Sequence, residues 1–117
     1  MYRSTLLRNL RRWRLVSGTT CYFISDDGSV VSCAKSGFKL LKPWLTKERY
    51  LQVALRGARK HYIHRLVLSA FSDRSPWPGA VVDHLDFDRQ NNQLHNLRWY
   101  DRVQNMRRTP GTAHLYP

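Results

Sequence analysis

The sequence predicts an α+β fold, with a small antiparallel sheet followed by a compact unit of two strands and a helix. Three features point there. Short runs rich in β-branched and aromatic residues recur between Tyr22 and Ile63, separated by glycine-containing turns. At His64 the apolar spacing changes to that of a helix and continues to Phe71. From Val81 to Met106 two apolar stretches flank a polar loop dense in Asp and Asn, ahead of a second helical pattern.

The chain has 117 residues, a length that suits one compact domain or a small core with an accessory layer. A hydrophobic share of 42% excludes a disordered chain. No apolar run is long enough to span a bilayer, and no apolar segment of signal-peptide type follows the basic N-terminus. A cytoplasmic protein is expected. Cys21 and Cys33 are the only cysteines. In that compartment both are expected to be reduced, serving as small apolar filler. Two thiols cannot build a four-ligand site, so no structural zinc is expected.

The net charge is +12, from 20 basic and 8 acidic residues, which calls for a polyanionic partner. No amphipathic helix carries this charge, so nucleic acid is favoured over membrane.

Along the chain, Leu6, Leu7 and Leu10 share helical spacing in an arginine-rich arm, and Trp13 extends that face. Tyr22 to Ser25 and Ser29 to Ser32 form a hairpin around Asp26-Asp27-Gly28. Lys35 to Pro43 is a weaker strand. Tyr50 to Leu55 is another, and Arg59 to Ile63 returns after a turn at Arg56-Gly57-Ala58. Together they predict one sheet of four or five strands with basic residues on one face. In the following helix Ile63, Val67, Ala70 and Phe71 lie on one side. The segment Ser75-Pro76-Trp77-Pro78-Gly79 breaks the pattern and delivers the chain to Val81. The expected organisation is an accessory region over 1–74, a core over 75–109 and a loose tail over 110–117.

Asp83 and His84 close the first strand of the core. In an extended strand they face opposite ways, and a bend at the strand end brings both toward one phosphate. Asp101 to Gln104 reads as a capping box, which places Asn105 one turn into a helix. Packed across the two strands, that helix returns Asn105 to Asp83 and supplies two oxygen ligands for a hard divalent cation. Asp86-Phe87-Asp88 begins like a calcium loop but has Asn91 where that loop needs Gly and Leu97 where it needs Glu. Asn91 and Asn92 read as loop residues bonding local backbone. His64 reads as a buried, hydrogen-bonded structural histidine, and Trp44, Trp77 and Trp99 read as core.

These residues carry a resemblance. The Asp83-His84 pair, Asn96 twelve positions after His84 and Asn105 twenty-one after it follow the spacing of HNH endonucleases of phage and group I intron homing type. Asn91-Asn92 and Asn96-Leu97-Arg98-Trp99 are similar to the same family. Trp13 to Val16, Tyr22 to Ser32 and His64 to Phe71 are similar to the modular segment that often precedes such cores. The resemblance implies a ββα-metal core and metal-dependent cleavage of DNA, by nicking or double-strand cutting. It makes His84 the general base and gives the metal, Mg²⁺ or Mn²⁺, to Asp83 and Asn105. Asn96 would pin the loop and orient His84. Phe87 stands where the family often has Gly, and a bulky residue is expected to pack there. A DNA grip is expected from Arg98, Arg102, Arg107 and Arg108 near the scissile phosphate. Lys35, Lys39, Lys42, Arg56, Arg59 and Lys60 are expected along the flanking backbone. The alternative is a nucleic-acid-binding protein with an HNH-like fold that does not cut. The sequence leaves target site and oligomeric state, monomer or homodimer, open.

Overall fold

The computed structural model describes residues 11–73 and 76–101. Among these residues nine short strands and one α-helix run in the order β1 (Trp13–Leu15), β2 (Tyr22–Ser25), β3 (Val30–Ala34), β4 (Gly37–Leu40), β5 (Trp44–Leu45), β6 (Leu51–Leu55), β7 (Arg59–Tyr62), α1 (Ile63–Phe71), β8 (Ala80–His84) and β9 (Leu97–Asp101). They form three antiparallel sheets, β1-β2-β3-β4, β5-β6-β7 and β8-β9. The mixed α+β class is as expected, but the single accessory sheet is in fact two.

The β2–β3 turn closes as its composition requires. Gly28 takes φ +91° and donates its N–H to the Ser25 carbonyl at 3.1 Å, while Ser25 N–H reaches the Ser29 carbonyl at 2.8 Å. Pairing of Ile24 with Val30 sets a register that carries on to place Cys21 opposite Cys33. Their Cα atoms are 5.1 Å apart and the sulfurs are bonded to each other. The expected free thiols are therefore a disulfide. Compartment arguments missed a pairing that the hairpin geometry allows.

Trp13, expected to extend a helical face, lies in β1 opposite Ser25. Leu6, Leu7 and Leu10 lie outside the described residues. Pro43 ends the β4 segment, and the chain resumes pairing at once in the two-residue β5, too short to announce itself in sequence. Trp44, expected in the core, is 39% exposed there.

Helix α1 buries Ile63, Leu66, Val67 and Phe71, the i, i+3, i+4, i+8 stripe of an amphipathic helix. It lies against β1, β2, β6, β7 and β9 and so joins all three sheets. Val67 and Ile24 meet in this core fully buried, with Val30, Val53, Val82 and Leu97 around them. Burial of each such side chain contributes about 1.5–3 kcal/mol. Every residue of β8 is buried. That explains its unbroken apolar run, because both faces are covered. It also means that Asp83 and His84, on opposite faces, are both taken out of water. Asp101 ends β9 opposite Ala80, and the helix expected after it lies outside the described residues.

Candidate active site

His84 sits at the end of β8, 5% exposed. Its Nε2 is 2.9 Å from Asn92 Oδ1. An amide oxygen only accepts, so this contact puts the imidazole proton on Nε2 and leaves the Nδ1 lone pair without a partner among the described residues. Burial holds the ring below the usual histidine range, opposed by the Asn92 hydrogen bond and the nearby Asp86, Asp83 and Asp88 carboxylates. At neutral pH the ring is therefore uncharged and able to accept a proton.

Asn92 was read from sequence as a loop residue bonding local backbone, and the structure corrects this. Its side chain is the ring's anchor. The β2–β3 turn backs it, since a Cβ on Gly28 would lie 3.1 Å from Asn92 Cβ and 3.2 Å from Ile63 Cγ2. Leu94 N–H donates to the Asp26 carbonyl at 2.8 Å and docks the same turn on the loop. The missing signal was tertiary, since nothing near Asn92 in sequence names the turn beneath it.

A second histidine underlies the site. His64 is fully buried, stacked on Tyr62 at 5.0 Å and edge-on to His84 at 5.2 Å. Tyr50 completes the cluster, 5.2 Å from His64 and 6.0 Å from His84. Burial, then the neighbouring His84 and Arg65, lower the His64 pKa to about 3. The expected burial is found, but the hydrogen-bonded ring expected with it is not: neither nitrogen finds a hydrogen-bond partner among the described residues.

The loop from Leu85 to Asn96 is rigidified by its own polar side chains. Asn96 Nδ2 donates to Asp86 Oδ1 and to the Asn91 carbonyl, each at 2.9 Å, and its Oδ1 accepts Asp86 N–H at 3.0 Å. Asn91 Nδ2 reaches Asp86 Oδ2 at 2.8 Å. These bonds, Asn91's first, hold the exposed Asp86 carboxyl below the usual range. Asn96 thus contacts the loop, and the hydrogen bond to the His84 ring involves Asn92 instead. Phe87 does not pack as expected. It is 68% exposed, at φ +63°, the left-handed conformation for which glycine is best suited.

Asp83, 5% exposed, receives Arg98 Nε on Oδ2 at 2.8 Å, and the two are direct cross-strand partners. Asn105 lies outside the described residues, as do Arg102, Arg107 and Arg108. No cluster of three or more His, Cys, Asp or Glu side chains suited to a metal occurs among the described residues. One buried carboxylate at a strand end still fits a hard cation that takes few protein ligands and fills its shell with water and phosphate.

Lys35, Lys39, Lys42, Arg56, Arg59, Lys60 and Arg98 are all exposed. They do not share one sheet face: Lys39 is in β4, while Arg59 and Lys60 are neighbours in β7 and point opposite ways. Arg56 and Arg59 flank a cleft of about 800 Å³ with Thr19, Thr20 and His61. No helix among the described residues is long and apolar enough to cross a membrane.

Residues 61–107 match the family model for the HNH endonuclease domain. The chain is 37% identical over 91 residues to DNA endonuclease I-HmuI of Bacillus phage SP01, covering 74% of this chain and 51% of that protein. It is 38% identical over 88 residues to an uncharacterised HNH endonuclease of Acanthamoeba polyphaga mimivirus, covering 73% of this chain and 26% of the relative. The solved structure described as DNA binding and cleavage by the HNH homing endonuclease I-HmuI superposes with a TM-score of 0.72 at 34% identity. The superposition covers 86% of this chain and 58% of that one. The chain thus spans between a quarter and about three fifths of these relatives.

Proposed function

We propose that this chain, which matches the HNH endonuclease domain over residues 61–107, is an HNH endonuclease that hydrolyses DNA phosphodiester bonds with a histidine general base and one divalent cation. The observation that carries the reading is the fixed, neutral imidazole of His84 beside the buried Asp83 carboxylate. Hydrolysis needs a base for the attacking water, and His84 Nδ1 is the free proton acceptor. Asp83 would hold Mg²⁺ or Mn²⁺ together with Asn105. When bound, that ion acts as a Lewis acid for the phosphate and the leaving 3′ oxygen.

The chain's own residues supply the rest. Asn92 fixes the tautomer and tilt of His84. Asn96 ties both ends of the loop so that it keeps one shape beside the scissile bond. The exposed cations Lys35, Lys39, Lys42, Arg56, Arg59 and Lys60 would neutralise flanking phosphates, with Arg98, Arg102, Arg107 and Arg108 near the cut. Such contacts position the duplex without reading its sequence. The accessory region over 1–74 would then serve as a grip for the core over 75–109, with 110–117 as a tail.

Supercoiled plasmid incubated with the purified chain and Mg²⁺ or Mn²⁺ tests this directly. Nicked or linear product that disappears with chelator is the expected result. Plasmid that is retarded but never cut, with either metal, would turn the reading into a non-cleaving nucleic-acid-binding module.

A further inference from the structure

The geometry points to Arg98 as the stand-in cation of the metal site, a positioning residue that neutralises Asp83 when no metal is bound and weakens metal binding by its charge. The inference rests on the reading of Asp83 as a metal ligand. Cross-strand register places Asp83 and Arg98 directly opposite on one face of the β8–β9 hairpin. The ion pair is asymmetric: the Asp83 side chain is 7% exposed and that of Arg98 is 52% exposed. A carboxylate so far from water needs a counter-charge, whereas a half-exposed guanidinium does not. The guanidinium is also held in place, with its central carbon 4.6 Å from the Tyr100 ring centroid on the same strand face.

The contact uses one oxygen, Oδ2. The arrangement therefore leaves Oδ1 to meet a cation while Arg98 fixes the carboxylate plane. A guanidinium kept on Oδ2 sets that plane, but it also brings a like charge close to the incoming ion. Orientation and repulsion thus act in opposite directions. For a divalent ion next to a full positive charge, repulsion is the larger effect even at the intermediate dielectric of a protein surface. Arg98 then serves the metal-free protein more than the loaded one.

Mn²⁺ binding to the full chain without DNA tests this, read from the paramagnetic resonance signal of free Mn²⁺ and from the thermal midpoint with and without the ion. Arg98→Met keeps the apolar stem and removes the charge. It is expected to lower the midpoint of the metal-free protein, to bind Mn²⁺ about tenfold more tightly or better, and to show a larger Mn²⁺-induced rise in midpoint than the unaltered chain. Arg98→Lys, which retains the charge, should stay near the unaltered affinity. Should Arg98→Met not fold, Arg98→Gln carries the same comparison. A folded, uncharged variant that binds Mn²⁺ no more tightly than the unaltered chain overturns the inference. Asp83→Asn separates the underlying reading: it should abolish this binding whatever stands at position 98, and unchanged Mn²⁺ affinity in Asp83→Asn would remove the metal from Asp83 itself.

Discussion

His84 and His64 lie with ring centroids 5.2 Å apart, both buried and both held neutral, yet the structure sets their ring nitrogens in different surroundings. His84 ends a strand just ahead of a polar loop and has one nitrogen anchored by Asn92. His64 lies in the first turn of α1 under two tyrosines, with no anchor on either nitrogen among the described residues. Burial alone therefore does not make a base. On the proposed function an anchored proton on one side and an open lone pair on the other do, and His64 packs as an aromatic floor beneath the ring that has them.

The contrast is broken most severely at His84. His84→Ala should lose about 10²–10⁴-fold in single-turnover cleavage while retaining DNA affinity. His64→Leu, measured alongside, should stay within a small factor of the unaltered rate. Equal losses in two folded variants would abolish the distinction.

The next effect is on stability. The unfolded chain protonates position 64 near pH 6.5, whereas the folded chain does so only near 3. Between these values the unfolded state binds more protons, so stability rises with pH, is fully present above the unfolded value and is lost as pH falls through the window. His64 should contribute about 1.4 kcal/mol per pH unit there. Denaturant titrations at stepped pH should show a shallower slope for His64→Leu by that amount. Parallel slopes would mean that His64 is not buried neutral.

Asn92→Ala should slow cleavage by about tenfold through loss of the anchor, an effect on kcat rather than KM, because the ring keeps its place but not its tilt. A pure KM effect would make Asn92 a substrate contact instead. The smallest change is at Phe87. Gly there should stabilise the fold by about 1 kcal/mol, since a left-handed backbone costs other residues about 1–2 kcal/mol and the exposed ring repays little. Destabilisation, read from the denaturation midpoint, would show that the Phe87 ring packs after all.

These differences mark how much the sequence could reveal. Strand and helix positions were legible because their signals are local: the Asp-Gly turn, the i, i+3, i+4 stripe of α1, and the apolar run of β8. The division into two accessory sheets was not, because β1 and β5 have three and two residues and carry no periodicity. Asp83, His84 and Asn96 stand out in the sequence by the spacing of the family it resembles. Asn92 was missed because its role depends on Gly28, brought beneath it from a distant hairpin. The disulfide lies within reach of the hairpin register, but compartment arguments point the other way. In sequence Arg98 is one more cation beside the motif, a candidate phosphate contact, and only the β8–β9 register shows that it faces Asp83.

The central claim is that His84 acts as a neutral base, and the pH dependence of single-turnover cleavage tests it most directly. With the His84 pKa held below the usual 6.5, the rate should stay level from neutral pH down past that value and then fall about tenfold per pH unit as Nδ1 is protonated. The limb should vanish from the residual activity of His84→Ala. A rate that rises on acidification through this range, or an acid limb that survives in His84→Ala, would contradict it.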